Sequence, residues 1–319
     1  MTTVVERTLR VEGDEGLGRR PKPDLLAPVF SQVRSSLLDA VRMGFLHSSR
    51  ASGRVPGYLD AAADARFVGV EGDGDRATLL HFEIQTLGSS AGEAFKQPTL
   101  WFADDFPRPD ETAFELFGSA LRDVRIGRQD SSSFDPGLLS RIRKYDRVLR
   151  RGISCIEMPD TDPERRGTID SGVVSAASRL SAITPHPRRV RIAGRIDVLA
   201  ANRGLLKIEV STGQVVTGLW EGDGHIDSLA HWFNRDVALE GRGVFKPSGA
   251  LLRIDADHIS PARLQDDLFR KVPTGETTRD YRRLAQLRPG EPSAYSRLIK
   301  SVDIDVTDEE FESALAQLR

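Results

Sequence analysis

A single cysteine, Cys155, stands in the whole sequence. No disulfide can form within the chain, which excludes the small disulfide-stapled scaffolds and fits a reducing compartment. An excess of one charge is lacking too: 45 Lys and Arg face 47 Asp and Glu, a formal net charge of −2. No global basic field advertises nucleic acid, so any such contact needs a local basic face. Aromatic residues are only 7% of the chain, too few for a rich base-stacking platform. No apolar run approaches the roughly 20 residues of a membrane helix. Residues 1–23 lack an apolar core of signal-peptide length. The expectation is a cytoplasmic protein with no membrane contact. The six histidines fall at none of the HxxxH or CxxC-type spacings of a zinc site. Neither a Walker loop nor GxSxG occurs, and no GxGxxG sits between a strand and a helix. Neither a metal nor a cofactor is expected.

What is present is the composition of a folded protein: 319 residues, 29% charged and 39% hydrophobic. Arginine outnumbers lysine, the usage that GC-rich bacterial coding gives. Residues 1–22 are polar, with Gly and Pro near their end, and read as a flexible arm. An α+β domain is expected over 23–158. It opens with a helix whose Leu26, Val29, Phe30, Val33, Leu37 and Val41 recur at three- and four-residue steps. Two β-prone runs then flank Gly72-Asp73-Gly74-Asp75, a hairpin signal. A third run, Thr99–Asp105, is expected to join the sheet. Asp110 reads as the N-cap of a helix carrying Phe114, Phe117, Leu121 and Val124 on one face. Another helix is expected from Asp135 to Arg151. Its apolar side holds Leu138, Leu139, Ile142, Tyr145 and Leu149; Arg143, Lys144 and Arg147 lie among the cations of its other side. Residues 159–187 read as a linker with a short helix.

The stretch 188–260 runs strand, strand, strand, short helix, strand, strand. Period-2 alternation marks Val190, Ile192 and Ile196, then Leu206, Ile208 and Val210, then Leu252, Ile254 and Ala256. Gly194, Gly241 and Gly243 suit the bulges and coiling of a small barrel. This order resembles the OB-fold, a five-stranded Greek-key barrel with a helix between its third and fourth strands. The resemblance implies a face for single-stranded nucleic acid with a basic rim and stacking aromatics. Arg189, Arg191, Arg195, Lys207, Arg242, Lys246 and Arg253 would form the rim, with Trp220 and Phe245 for stacking. Trp232 and Phe233 would plug the barrel.

One stretch reads two ways. Gly194-x-x-Asp197 ends one apolar run and Glu209 sits in the next. This resembles the core of the PD-(D/E)xK nuclease superfamily, which implies two carboxylates on a divalent metal and a lysine that orients water. Ser211 holds the lysine position, and Lys207 lies two residues before the acid. In the other reading, Asp197, Lys207 and Glu209 are outward-facing residues of a barrel hairpin.

A helical tail is expected over 261–319. Thr307 and Glu310 form a capping-box pair ahead of Phe311, Leu315 and Leu318. The run Asp305 to Leu318 resembles the terminal segment of bacterial antitoxin-like proteins paired with PIN-domain ribonucleases. That implies a tail that docks on a protein partner. Together these point to an α+β protein: N-terminal helices with a small antiparallel sheet, then an OB-like five-stranded barrel and a helical tail. The expected function is a non-catalytic bacterial binding or regulatory protein. It would contact a protein partner, nucleic acid, or both, in a toxin–antitoxin or defence-type setting. The alternative is a metal-dependent nuclease using Asp197 and Glu209.

Overall fold

The structure, a computed structural model, describes residues 3–276 apart from 15–16, 51–55, 96–105, 159, 161, 163–165, 201–203 and 223–225. The run 99–105 and the tail residues Phe311, Leu315 and Leu318 therefore lie outside the described residues. The described elements belong to one compact unit with two main apolar cores. Among the described residues, no helix is long and apolar enough to cross a membrane.

The first half is a helix layer on an antiparallel sheet of order β2-β3-β1-β4-β5. Strand β1 is Val4–Gly13, β2 Arg66–Asp73, β3 Ala77–Gln85, β4 Ile153–Met158 and β5 Gly167–Ile169. The expected arm is thus corrected. Residues 4–13 form the middle strand, paired with β3 on one side and β4 on the other. Leu9 and Val11 are fully buried toward the helices. The β2–β3 hairpin turns at the Gly-rich step, with Gly74 at φ 75°.

Helix α1 is Pro23–Leu46. Short helices α2 (Gly57–Ala62), α3 (Leu87–Ser90) and α4 (Gly92–Phe95) follow. Helix α5 spans Ala113–Arg125, and its N-cap is Thr112 rather than Asp110. The Thr112 hydroxyl accepts from the Phe114 N–H, while the Glu115 carboxylate accepts from the Thr112 N–H. That reciprocal box satisfies two otherwise orphaned donors. Glu115 also takes Arg7 of β1 at 2.6 Å, which ties sheet to helix.

Asp135 caps α6 (Pro136–Arg143) as expected, accepting from the Leu138 N–H. The expected single helix to Arg151 is interrupted at Lys144–Tyr145, and α7 occupies Asp146–Leu149. Helix α8, Ser171–Ile183, starts from an Asp170 N-cap. The short helix expected within 159–187 is α8, and with β5 it buries Ile169, Val173, Ala176, Ala177 and Leu180 in the first core, so this part of the stretch is no linker. This apolar spacing on α8 explains why they belong there.

The second half is a closed five-stranded mixed barrel of order β10-β8-β7-β6-β9. Its strands are β6 Arg188–Ala200, β7 Leu205–Glu209, β8 Val215–Trp220, β9 Asp236–Phe245 and β10 Leu251–Pro261. Strand β6 pairs with β7 and β9, β7 with β8, and β10 with β9, all antiparallel. The parallel β8–β10 pair closes the barrel. These pairings are compatible with the OB-like barrel read from the element order. A 3-10 turn, Ile226–Trp232, stands between β8 and β9. Leu229 is buried and Trp232 packs on the barrel core, three residues apart on one face. Phe233 does not plug the barrel: it is 54% exposed, one step off that face.

Glycine matters where strands crowd. A Cβ on Gly194 would overlap the Glu209 carbonyl, and one on Gly241 the Asp255 carbonyl. Neither site admits a side chain without backbone movement.

Candidate nucleic-acid interface

Two basic regions stand out in the sequence, and the structure treats them differently. The first is the barrel rim. Arg189 makes a bidentate pair with Asp257, at 2.9 and 3.0 Å, and lies 3.6 Å from Glu240. Arg191 reaches Glu240 and Asp266, both at 2.7 Å, and its guanidinium sits over the Phe269 ring. Arg195 pairs with Glu209 at 2.8 Å across the β6–β7 hairpin. Three arginines therefore meet the four carboxylates Asp257, Glu240, Asp266 and Glu209. The patch has no net positive charge to release counterions from a phosphate chain.

Several of the remaining rim residues serve the junction between barrel and sheet half. Arg253 is buried at 5% exposure. It donates to Asp255 at 2.7 Å, to the His47 carbonyl at 2.9 Å and to Asp135 at 3.3 Å. His47 ends α1 in the left-handed region, at φ 53°. Lys246 donates to the Asp130 carbonyl and the Ser132 hydroxyl. Met43 of α1 packs with Val244 and Leu252 of the barrel. Lys207, expected to face water, is buried at 8% exposure. Leu205 and Leu219 beside it are covered by Phe106, so the β7–β8 flank is not open to solvent there. Phe245 is 1% exposed and faces the barrel core, with Arg188 stacked on it. Trp220 is half-buried against the same core. Arg242 alone of the predicted rim is exposed without a side-chain partner among the described residues.

The second region is the α6–α7 turn. Arg143, Lys144, Arg147 and Arg151 are all exposed, and none has an ion pair or side-chain hydrogen bond among the described residues. Arg150 pairs with Asp146 at 2.9 Å. Five cations and one acid thus fall within residues 143–151. The geometry has a simple origin. Leu138, Leu139, Ile142, Tyr145 and Val148 are buried against the helix layer, which turns the intervening cations outward. Tyr145 is anchored there by its 3.1 Å hydrogen bond to Ser36. The cations also complement the carbonyl ends of α6 and α7. Arg141 is used differently: it holds the buried Asp39 at 2.8 Å. Burial pushes the Asp39 carboxyl above its usual range, and Arg141 opposes that.

The two acids of the nuclease reading lie on neighbouring strands of the barrel, Asp197 on β6 and Glu209 on β7. Asp197 is the extra residue of a bulge between Ile196 and Val198, half-buried. Glu209 spends its carboxylate on Arg195. Among the described residues, no group of three or more His, Cys, Asp or Glu is placed to hold a metal ion. His81, on the face it shares with Glu83, takes Glu6 at 3.0 Å and Glu71 at 3.8 Å. Burial first, then the charges of Glu157, Asp170 and Glu12, pushes the Cys155 thiol up to about 11, which makes it a poor nucleophile at neutral pH.

Sequence reading missed the acidic partners of the rim. Glu240 and Asp257 lie 49 and 68 residues after Arg191 and Arg189, so no local pattern announces them. It also passed over the Thr112–Glu115 box, which a Thr-x-x-Glu search would have found.

No family model, no curated protein and no solved structure matches the chain.

Proposed function

We propose that this protein is a non-catalytic binding protein that contacts the phosphate backbone of nucleic acid through the α6–α7 turn. One observation carries the reading: Arg143, Lys144, Arg147 and Arg151 are exposed and free of ion pairs among the described residues, whereas the barrel's arginines are largely neutralised. Phosphate contact needs cations whose counterions can be released, and this turn supplies them. No exposed aromatic lies within residues 136–151. The contact is therefore to phosphate rather than to stacked bases.

In this reading the OB-like barrel is a structural partner of the sheet half. Its pairing order supports the OB-like assignment, but a fold does not fix a function. A regulatory or defence-type role, with residues 305–319 taking a protein partner, goes with the same proposal; deleting the chain from Asp305 should then abolish co-purification of that partner.

The test is anisotropy of a labelled duplex at two salt concentrations. Four phosphate contacts predict roughly a hundredfold loss of affinity between about 50 and 200 mM salt. Binding that does not change with salt, or no binding at low salt, would remove the proposal. Cleavage of the duplex that vanishes in Asp197→Ala would restore the nuclease alternative.

A further inference from the structure

The two edges of the five-stranded sheet are unlike. Strand β5 is three residues long with Gly167 and Ile169 buried. Strand β2 is eight residues long, pairs with β3 on one side and, among the described residues, has no strand on the other. An unpaired edge offers a row of backbone donors and acceptors to any strand that can reach it. Here that edge is also apolar: Phe67, Val68 and Val70 are 50%, 56% and 47% exposed. The sheet face bearing Glu6, Glu71, His81 and Glu83 is charged and suits water, and of the large apolar residues exposed on this sheet all but Val4 lie on the edge strand. A bulge takes Val68 out of register with β3, after which Gly69–Asp73 pair regularly.

Charge is ordered along this strand. It begins at Arg66 and ends at Glu71 and Asp73. A parallel neighbour of the same sequence would set like charge beside like. An antiparallel one lays the basic end of each strand against the acidic end of the other. We propose that β2 pairs antiparallel with β2 of a second copy, joining two sheets into one across a two-fold axis.

The symmetry narrows the register. The two-fold of an antiparallel pair passes through a residue that faces its own copy. Centring on Glu71 would press two carboxylates together. Centring on Val70 sets valine against valine, Val68 against Gly72 and Phe67 against Asp73 of the second copy, with each Arg66 end beside an Asp73 end. That register pairs the central valines and brings the oppositely charged ends of the two strands together.

The surface is separate from the α6–α7 turn, so the inference stands or falls apart from the proposed nucleic-acid contact. Sedimentation of the full chain should give a dimer. Val70→Lys should halve the sedimenting mass while its far-UV circular dichroism stays that of the folded chain, because the residue is half-exposed and a lysine on an edge blocks pairing. In a Cys155→Ser background, Val70→Cys should crosslink on mild oxidation. Facing residues lie about 4.5–5.5 Å apart at Cα, within disulfide range. Val68→Cys, set against glycine, should not crosslink. A wild-type monomer at high micromolar concentration, a Val70→Lys dimer, or equal crosslinking at both positions would overturn the pairing.

Discussion

Strand β6 and the α6–α7 turn carry similar numbers of cations. In β6, Arg189, Arg191 and Arg195 each meet a carboxylate within 3 Å. In the turn, four of five cations meet none among the described residues. The difference lies in what surrounds each element. Strand β6 is flanked by β7 and β9, whose outward residues include Glu209 and Glu240. A 3-10 turn, Leu264–Phe269, adds Asp266 from the side. The α6–α7 turn has a packed layer beneath it and solvent on the other side. The same residue type thus serves as strut in one place and as open charge in the other. Arginine count in a sequence does not separate the two.

That contrast can be broken or sharpened by substitution. The largest effect belongs to Arg253. Arg253→Ala leaves Asp135 and Asp255 buried without their cation, and should cost about 3–5 kcal/mol of stability. Chemical denaturation reads this directly. Next comes the turn itself. Replacing Arg143, Lys144, Arg147 and Arg151 together by Ala should leave stability nearly unchanged. It should remove salt-sensitive duplex binding, with the salt slope falling by about 0.9 for each phosphate that is no longer neutralised. Arg195→Ala should do the reverse on a small scale: a loss of about 1 kcal/mol or less, since its pair is half-exposed, and no change in duplex affinity.

Two smaller effects concern titration. Asp170 caps α8. Burial raises its carboxyl, but the Val173 N–H and Arg125 outweigh that, so its pKa is lowered in the folded chain. A depressed carboxylate stabilises the fold above the usual carboxylate range and loses that contribution as pH falls through its folded value. Asp170→Ala should therefore cost about 1 kcal/mol at neutral pH and progressively less on acidification. Alkylation of Cys155 should be slow at neutral pH, rise steadily with pH and level off only near about 11.

Much of the barrel was legible in the sequence, because alternation and the Gly positions are local signals. Ile192, Leu206, Ile208 and Ile254 all fall in its core as the period-2 pattern requires. The helices α1 and α6 were legible for the same reason. Strand β1 was not: its partners β3 and β4 come some 70 and 140 residues later, and its alternation was hidden in a polar stretch. The bulge at Asp197 and the burial of Lys207 were equally invisible. Both depend on what packs against the hairpin rather than on the hairpin's own residues. Of the candidate site, the cations of 143–147 were legible as charge. Their freedom from partners was not, because it is a property of distant residues.

The most direct test sets the two regions side by side in one titration. A labelled duplex is bound by the wild type, by the Arg143/Lys144/Arg147/Arg151→Ala variant, and by an Arg195→Ala/Arg242→Ala variant, each at two salt concentrations. Salt-sensitive binding should be lost in the first variant and stay at the wild-type level in the second. Binding abolished in the barrel variant and kept in the α6–α7 variant would contradict the proposed contact.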